Sequence, residues 1–106
     1  MNETTVIVEY QVLDGQLPAF TELLTRHYPT LRELGLATET PPQYFVGAEQ
    51  PGKPTPVVEI FEWSSPNAPM TAHTHPALSA IWERMAQMSA GDGRPRNVAV
   101  KPLALA

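Results

Sequence analysis

Two histidines two residues apart, His73 and His75, sit beside Pro76 a short way after a run that holds Glu59 and Glu62. An imidazole is the side chain whose charge changes near neutral pH, so a histidine at a helix break that faces a cavity is suited to take a proton from a bound molecule. Proline restricts the residue before it to extended backbone, so His75 is expected to end one helix and start the next. In the plainest reading His75 caps the second helix and His73 packs under the first. The same two rings with a carboxylate such as Glu59 or Glu62 could bind a divalent ion, but no third ligand has a recognisable spacing, and no metal is expected.

Other groups could serve a small-molecule site. Glu9 and Glu59 lie on segments expected to be neighbouring strands; if both project into one poorly hydrated space, their like charges raise the proton affinity of at least one. The alternative is that each meets a cation or water at the rim. Tyr44, Phe61, Trp63 and Trp82 could form a flat wall for a ring-shaped ligand, although Trp82 also has the spacing of a core residue. His27 reads as a partly buried surface residue outside these groupings.

The elements that would position these groups are legible. Val6, Val8, Tyr10 and Val12 alternate with Ile7, Glu9, Gln11 and Leu13, the pattern of a strand with one apolar and one mixed face. Asp14 and Gly15 make the turn. From about Pro18 a helix is expected, with Phe20, Leu23, Leu24, Leu31 and Leu34 as its apolar stripe. Pro29 interrupts it and predicts a kink or two short helices, while Gly35 suits a left-handed end. Residues 43 to 48 and 57 to 63 read as the second and third strands, joined by a loop containing Pro51, Gly52 and Pro54. Ser64, Ser65 and Pro66 are expected to start a short helix that breaks near His75, and Leu78, Ile81, Trp82, Met85 and Met88 mark a longer one after it. Residues 98 to 101 give a last strand, and the tail after Pro102 extends it or lies against a partner.

This order, β-α-β-β-α-β, is the ferredoxin-like α+β arrangement, a four-stranded antiparallel sheet with helices on one face. Of the twelve prolines, Pro18, Pro69 and Pro76 fall in proposed first helical turns, eight fall in connections or element ends, and only Pro29 is out of place. No strand has a plainly solvated side, so the sheet face without helices should be apolar. A patch of that kind is expected to pair with a second copy in a two-fold dimer.

Composition narrows the function further. With 106 residues the chain is expected to form one domain, residues 1 to 106. The absence of cysteine excludes disulfides, thiolate catalysis and cysteine-bound metal clusters. A net charge of −4 with scattered Lys and Arg argues against a nucleic-acid partner. No apolar run could span a bilayer, and Met1, Asn2 and Glu3 do not read as a leader, so a cytoplasmic location is expected.

Val58-Glu59-Ile60-Phe61-Glu62-Trp63 running into Ala72-His73, then Pro76-Ala77 and Ile81-Trp82, resembles the antibiotic biosynthesis monooxygenase family of the dimeric α+β barrel superfamily. The residue-level likeness covers about residues 57 to 88, and the element order covers nearly the whole chain. It implies a barrel formed between two subunits and maps the family's strand glutamate and helix histidine onto Glu59 and His73. Haem-degrading relatives use an asparagine in the first strand; none stands there in this sequence, so haem cleavage is not expected. No flavin, nicotinamide or haem motif is visible and no cofactor is expected. The resemblance implies a cofactor-independent monooxygenase acting on an aromatic or quinol-type molecule, with His73 or Glu59 taking the proton. Two alternatives share the fold: a redox-neutral isomerase or cyclase, and a non-enzymatic dimer that binds an apolar small molecule.

Overall fold

The computed structural model describes residues 4–105. Met1, Asn2 and Glu3, on which the reading of a missing leader rests, and Ala106 lie outside the described residues. The elements run β1 (Thr5–Val12), α1 (Leu17–Glu33), β2 (Gln43–Val46), β3 (Thr55–Glu62), α2 (Ala68–His73), α3 (Pro76–Gln87) and β4 (Arg96–Val100). The strands form one antiparallel sheet in the order β2-β3-β1-β4. This is the ferredoxin-like α+β architecture expected from the alternating patterns. No helix among the described residues is long and apolar enough to cross a membrane.

Strand register decides which residues share a face. Val8 of β1 stands opposite Glu59 of β3, and Val6 opposite Phe61. Side chains alternate along a strand, so Val6, Val8, Tyr10 and Val12 join Val57, Glu59 and Phe61 on the buried, helix-covered side. The outer side carries Ile7, Glu9, Val58 and Ile60, with Phe45 and Val98 on the edge strands. Phe45 is 57% exposed and Val98 43%. The outer face therefore carries apolar residues from every strand, as the sequence pattern required, beside polar ones such as Gln11, Gln43 and Arg96.

α1 lays Phe20, Leu23, Leu24, His27 and Leu31 on the core. Of the two outcomes expected at Pro29, the pair of short helices does not occur, since α1 is continuous through it. An interior proline costs a helix roughly 3 kcal/mol, a cost offset when the apolar stripe packs on both sides of it. The helix ends where expected. Gly35 takes a positive φ, its N–H donates to the Arg32 carbonyl, and that of Leu36 donates to Leu31, closing the last turn.

The second helical region differs in detail. Ser64 to Pro66 do not start α2; its N-cap is Asn67, which makes no side-chain capping bond, and Pro69 occupies the first turn. A turn closed by the Ala68 N–H on the Ser65 carbonyl comes first and delays the helix. β4 also starts earlier than expected, because Arg96 and Asn97 pair with Glu9 and Val8. Beyond β4 the tail forms no regular element, with Leu103 and Leu105 exposed.

The loop before β4 is held tightly to α3. Gly93 has φ +80°, and a Cβ there would lie 2.7 Å from the Ala86 carbonyl oxygen. Gly35 has a similar φ, but nothing lies within 4 Å of its missing Cβ. Gly35→Ala should therefore cost only the left-handed backbone penalty of about 1 kcal/mol, whereas Gly93→Ala should cost more than about 2 kcal/mol because backbone must also move. Urea unfolding of the two variants against the parent chain measures the difference.

Candidate functional site

The centre of the sheet holds a buried carboxylate. Glu59 has no solvent exposure, standing between Val8 of β1 and Tyr44 of β2 in the register. An ionised group placed in the core is costly unless hydrogen bonds meet it. The Tyr10 hydroxyl donates to Glu59 Oε1 at 2.8 Å, and His27 Nδ1 lies 2.8 Å from Oε2. His27 is only 2% exposed.

The far side of that imidazole fixes its tautomer. An indole nitrogen can only donate, and Trp82 Nε1 lies 2.9 Å from His27 Nε2. Nε2 therefore carries the lone pair, and the ring proton sits on Nδ1, donated to Glu59. One directed chain runs from the indole of α3 through the imidazole of α1 to the carboxylate of β3, where the phenol of β1 also donates. Burial, and then the charge and hydrogen bond of Glu59, push the Tyr10 phenol well above its ordinary value of 10.0, so it stays a donor. Burial first and the Glu59 charge second push Tyr44, which is 44% exposed, up to about 12. No buried side-chain polar atom among the described residues lacks a partner.

Beside this chain is an open cleft of about 910 Å³ between the β1 and β4 side of the sheet and helices α2 and α3. Its inner wall includes Tyr10, His27, Phe61 and Trp82; Trp63, His73, Arg94 and Asn97 lie farther round. The rings touch edge to face: Phe61 and Trp63 centroids are 4.9 Å apart, and those of His27 and Phe61 are 5.8 Å apart. The His73 ring is 5.2 Å from that of Trp82.

The sequence-nominated residues separate on this geometry. Phe61, Trp63, Trp82 and His73 share the cleft. His73 does not pack beneath its own short helix, α2; it is exposed. Glu59 is in the core beneath the cleft and reaches it only through His27 and Tyr10. His75 is the N-cap of α3, its Nδ1 accepting from the Ala77 N–H at 3.3 Å, and is absent from the cleft wall. Tyr44 lines a different groove, about 480 Å³, between α1 and β2. Glu9 does not meet Glu59 at all: it stands opposite Val58, on the outer face, where its Oε2 accepts from Gln11.

Nor do the groups of the metal alternative gather. Glu62 accepts from Thr38 and Thr40, and no three His, Asp or Glu among the described residues form a set that could hold an ion. His27 was missed, although the signal was present. Phe20, Leu23, Leu24, His27 and Leu31 follow the i, i+3, i+4, i+7, i+11 spacing of a single buried stripe.

No family model matches this sequence, and neither does any curated protein. Solved structures do match. A crystal structure of an antibiotic biosynthesis monooxygenase superposes with a TM-score of 0.72 at 15% identity, over 94% of this chain and 98% of that one. The fold is that of the antibiotic biosynthesis monooxygenases. SnoaB, a cofactor-independent oxygenase from Streptomyces nogalater, matches at TM-score 0.67 and 12% identity, over 98% of this chain and 97% of that one. An Arabidopsis thaliana protein matches at 0.65 and 16%, over 97% and 98%. At such identities the likeness is one of backbone architecture.

The buried chain makes a stability test. Tyr10→Phe removes one donor from the carboxylate and should lower the unfolding free energy at neutral pH by about 2 kcal/mol. Because the folded chain holds the Tyr10 proton more tightly than the unfolded one, stability is present below pH 10 and falls as pH climbs above it. Tyr44 adds a smaller component of the same sign up to about pH 12. Chemical denaturation from about pH 8 to about pH 12, the range in which phenols titrate, should show the alkaline loss reduced in the variant.

Proposed function

We propose that this protein is a small cofactor-independent monooxygenase acting on an aromatic or quinol-type molecule, active as a homodimer. The observation that carries the reading is the cleft: a largely apolar chamber of about 910 Å³ with four aromatic rings and an imidazole on its wall and a buried carboxylate behind that imidazole. A volume of that order suits a small organic ligand. The fold shared with SnoaB, itself a cofactor-independent oxygenase, supports the same reaction class.

In this reading Phe61, Trp63 and Trp82 hold the ring of the substrate. A base on the wall removes a hydroxyl proton, and the resulting electron-rich anion supplies the electrons that dioxygen accepts. His73 stays within reach of the cleft. Glu59 acts from behind the wall, and His75 serves the fold as a helix cap. The open space also weighs against a purely structural role, for which a filled interior is the expected form.

The homodimer follows from the outer sheet face. Ile7, Phe45, Val58, Ile60 and Val98 form an apolar patch on that face, bordered by Glu9 and Arg96 and by Gln11 and Gln43. A second copy packed face to face would bury it. Ile60→Glu places a charge at its centre, and analytical ultracentrifugation should then give monomers where the parent chain gives dimers. Parent-sized dimers in the variant would remove this interface.

Oxygen uptake tests the reaction. With a panel of phenols and quinols in chelator-treated buffer, the parent chain should consume oxygen. Ala99→Phe, which fills the cleft from β4, should reduce that rate at least about tenfold while leaving the circular dichroism spectrum intact. Product formation without oxygen would instead establish the redox-neutral chemistry.

A further inference from the structure

The cleft wall contains one imidazole with a carboxylate directly behind it. Resting on the reading of the cleft as a hydroxyaromatic site, we infer that His27 is the proton-accepting group, and that the Trp82 indole N–H occupies its lone pair until a ligand hydroxyl displaces it. The tautomer is the required one: Nδ1 gives its proton to Glu59 Oε2, and Nε2 is left as the acceptor on the cleft side. A carboxylate that holds Nδ1–H both orients an imidazole and stabilises the cation formed when Nε2 takes a proton.

The groups packed around His27 support that role. From β3, Glu59 supplies the negative charge and Phe61 an apolar edge. From α3, Trp82 supplies a single donor. From β1, Tyr10 reaches the same carboxylate, and its strongly held proton keeps it from competing as a second anion. Tyr44, opposite Glu59 on β2, is likewise held protonated. Proton transfer breaks the ligand O–H bond and forms an N–H bond at His27 Nε2. It leaves a ligand anion and an imidazolium paired with Glu59, so the total charge is unchanged. His73 is exposed, its ring 5.2 Å from that of Trp82.

The indole makes the device self-covering. Its hydrogen bond satisfies the buried lone pair in the empty cleft, where an unmet acceptor would be costly. A ligand hydroxyl offers the same kind of donor at the same atom and differs in that its proton can transfer.

4-Nitrophenol tests this, because its anion has a visible absorption band that the neutral phenol lacks. The measurement is made at a pH where the free probe is mostly protonated. Bound to the parent chain, the probe should show the anion band. His27→Gln should abolish the band, and Glu59→Gln, which keeps the shape but removes the charge, should reduce it about tenfold or more. Trp82→Phe should bring the band in at severalfold lower probe concentration, since the competing donor is gone.

Binding to the parent chain without the anion band, a band that survives both His27→Gln and Glu59→Gln, or a band weakened in Trp82→Phe overturns the assignment and leaves the chamber reading standing. Failure of the probe to bind in equilibrium dialysis overturns both. If His27→Gln does not fold, Glu59→Gln and Trp82→Phe decide the matter by the same criteria.

Discussion

The burial of one carboxylate constrains most of this structure. Removing a charge from water costs several kcal/mol even after local relaxation, and only good hydrogen bonds recover it. Glu59 obtains them from two different elements, the phenol of Tyr10 and the imidazole of His27. β1 and β3 must therefore pair in a register that brings Tyr10 to the helix-covered face. α1 must be rotated so that His27 points at the sheet. α3 enters the same requirement one bond farther on, because Trp82 meets the remaining nitrogen of the imidazole. The hydrophobic stripes of the helices would permit small rotations that these directional bonds do not.

Much of the architecture was legible because it depends on pattern. Alternation in β1, the apolar stripes of α1 and α3, and the punctuation by proline and glycine specify element order, and element order leaves few topologies. The site was less legible, because it depends on which face each strand residue takes. Glu9 and Glu59 both sit on adjacent strands, yet the pairing of Val8 with Glu59 puts Glu9 on the opposite side of the sheet. His27 was obscured by chemistry. Its place in the apolar stripe marks it as buried, but its role depends on a carboxylate that lies 32 residues away in sequence. Pro29 is the remaining case, where propensity allowed a division into two helices and the packing of Leu31 and its neighbours keeps α1 in one piece.

The likeness to solved structures at 12 to 16% identity over nearly the whole chain is consistent with this division. A backbone set by burial pattern tolerates replacement of most side chains by others of similar size and polarity. A site set by a few directional bonds does not, and Tyr10, His27, Glu59 and Trp82 form such a set in this chain. Phe61 of β3 and Trp63 just after it line the same cleft, and Glu59 lies in the core beneath it. Fold and site therefore share β3, which supplies both core packing and the carboxylate.

The two sides of β3 serve different ends in strict alternation: Val57, Glu59 and Phe61 belong to the interior, while Val58 and Ile60 belong to the outer face. Divergence by point substitution can thus adjust either surface while sparing the other. Loss or gain of a single codon in this stretch cannot, because it would exchange the two sets at a stroke, turning an acid outward and greasy residues onto the imidazole. Descendants of this chain should accordingly vary in the length of their loops while keeping the spacing within this strand.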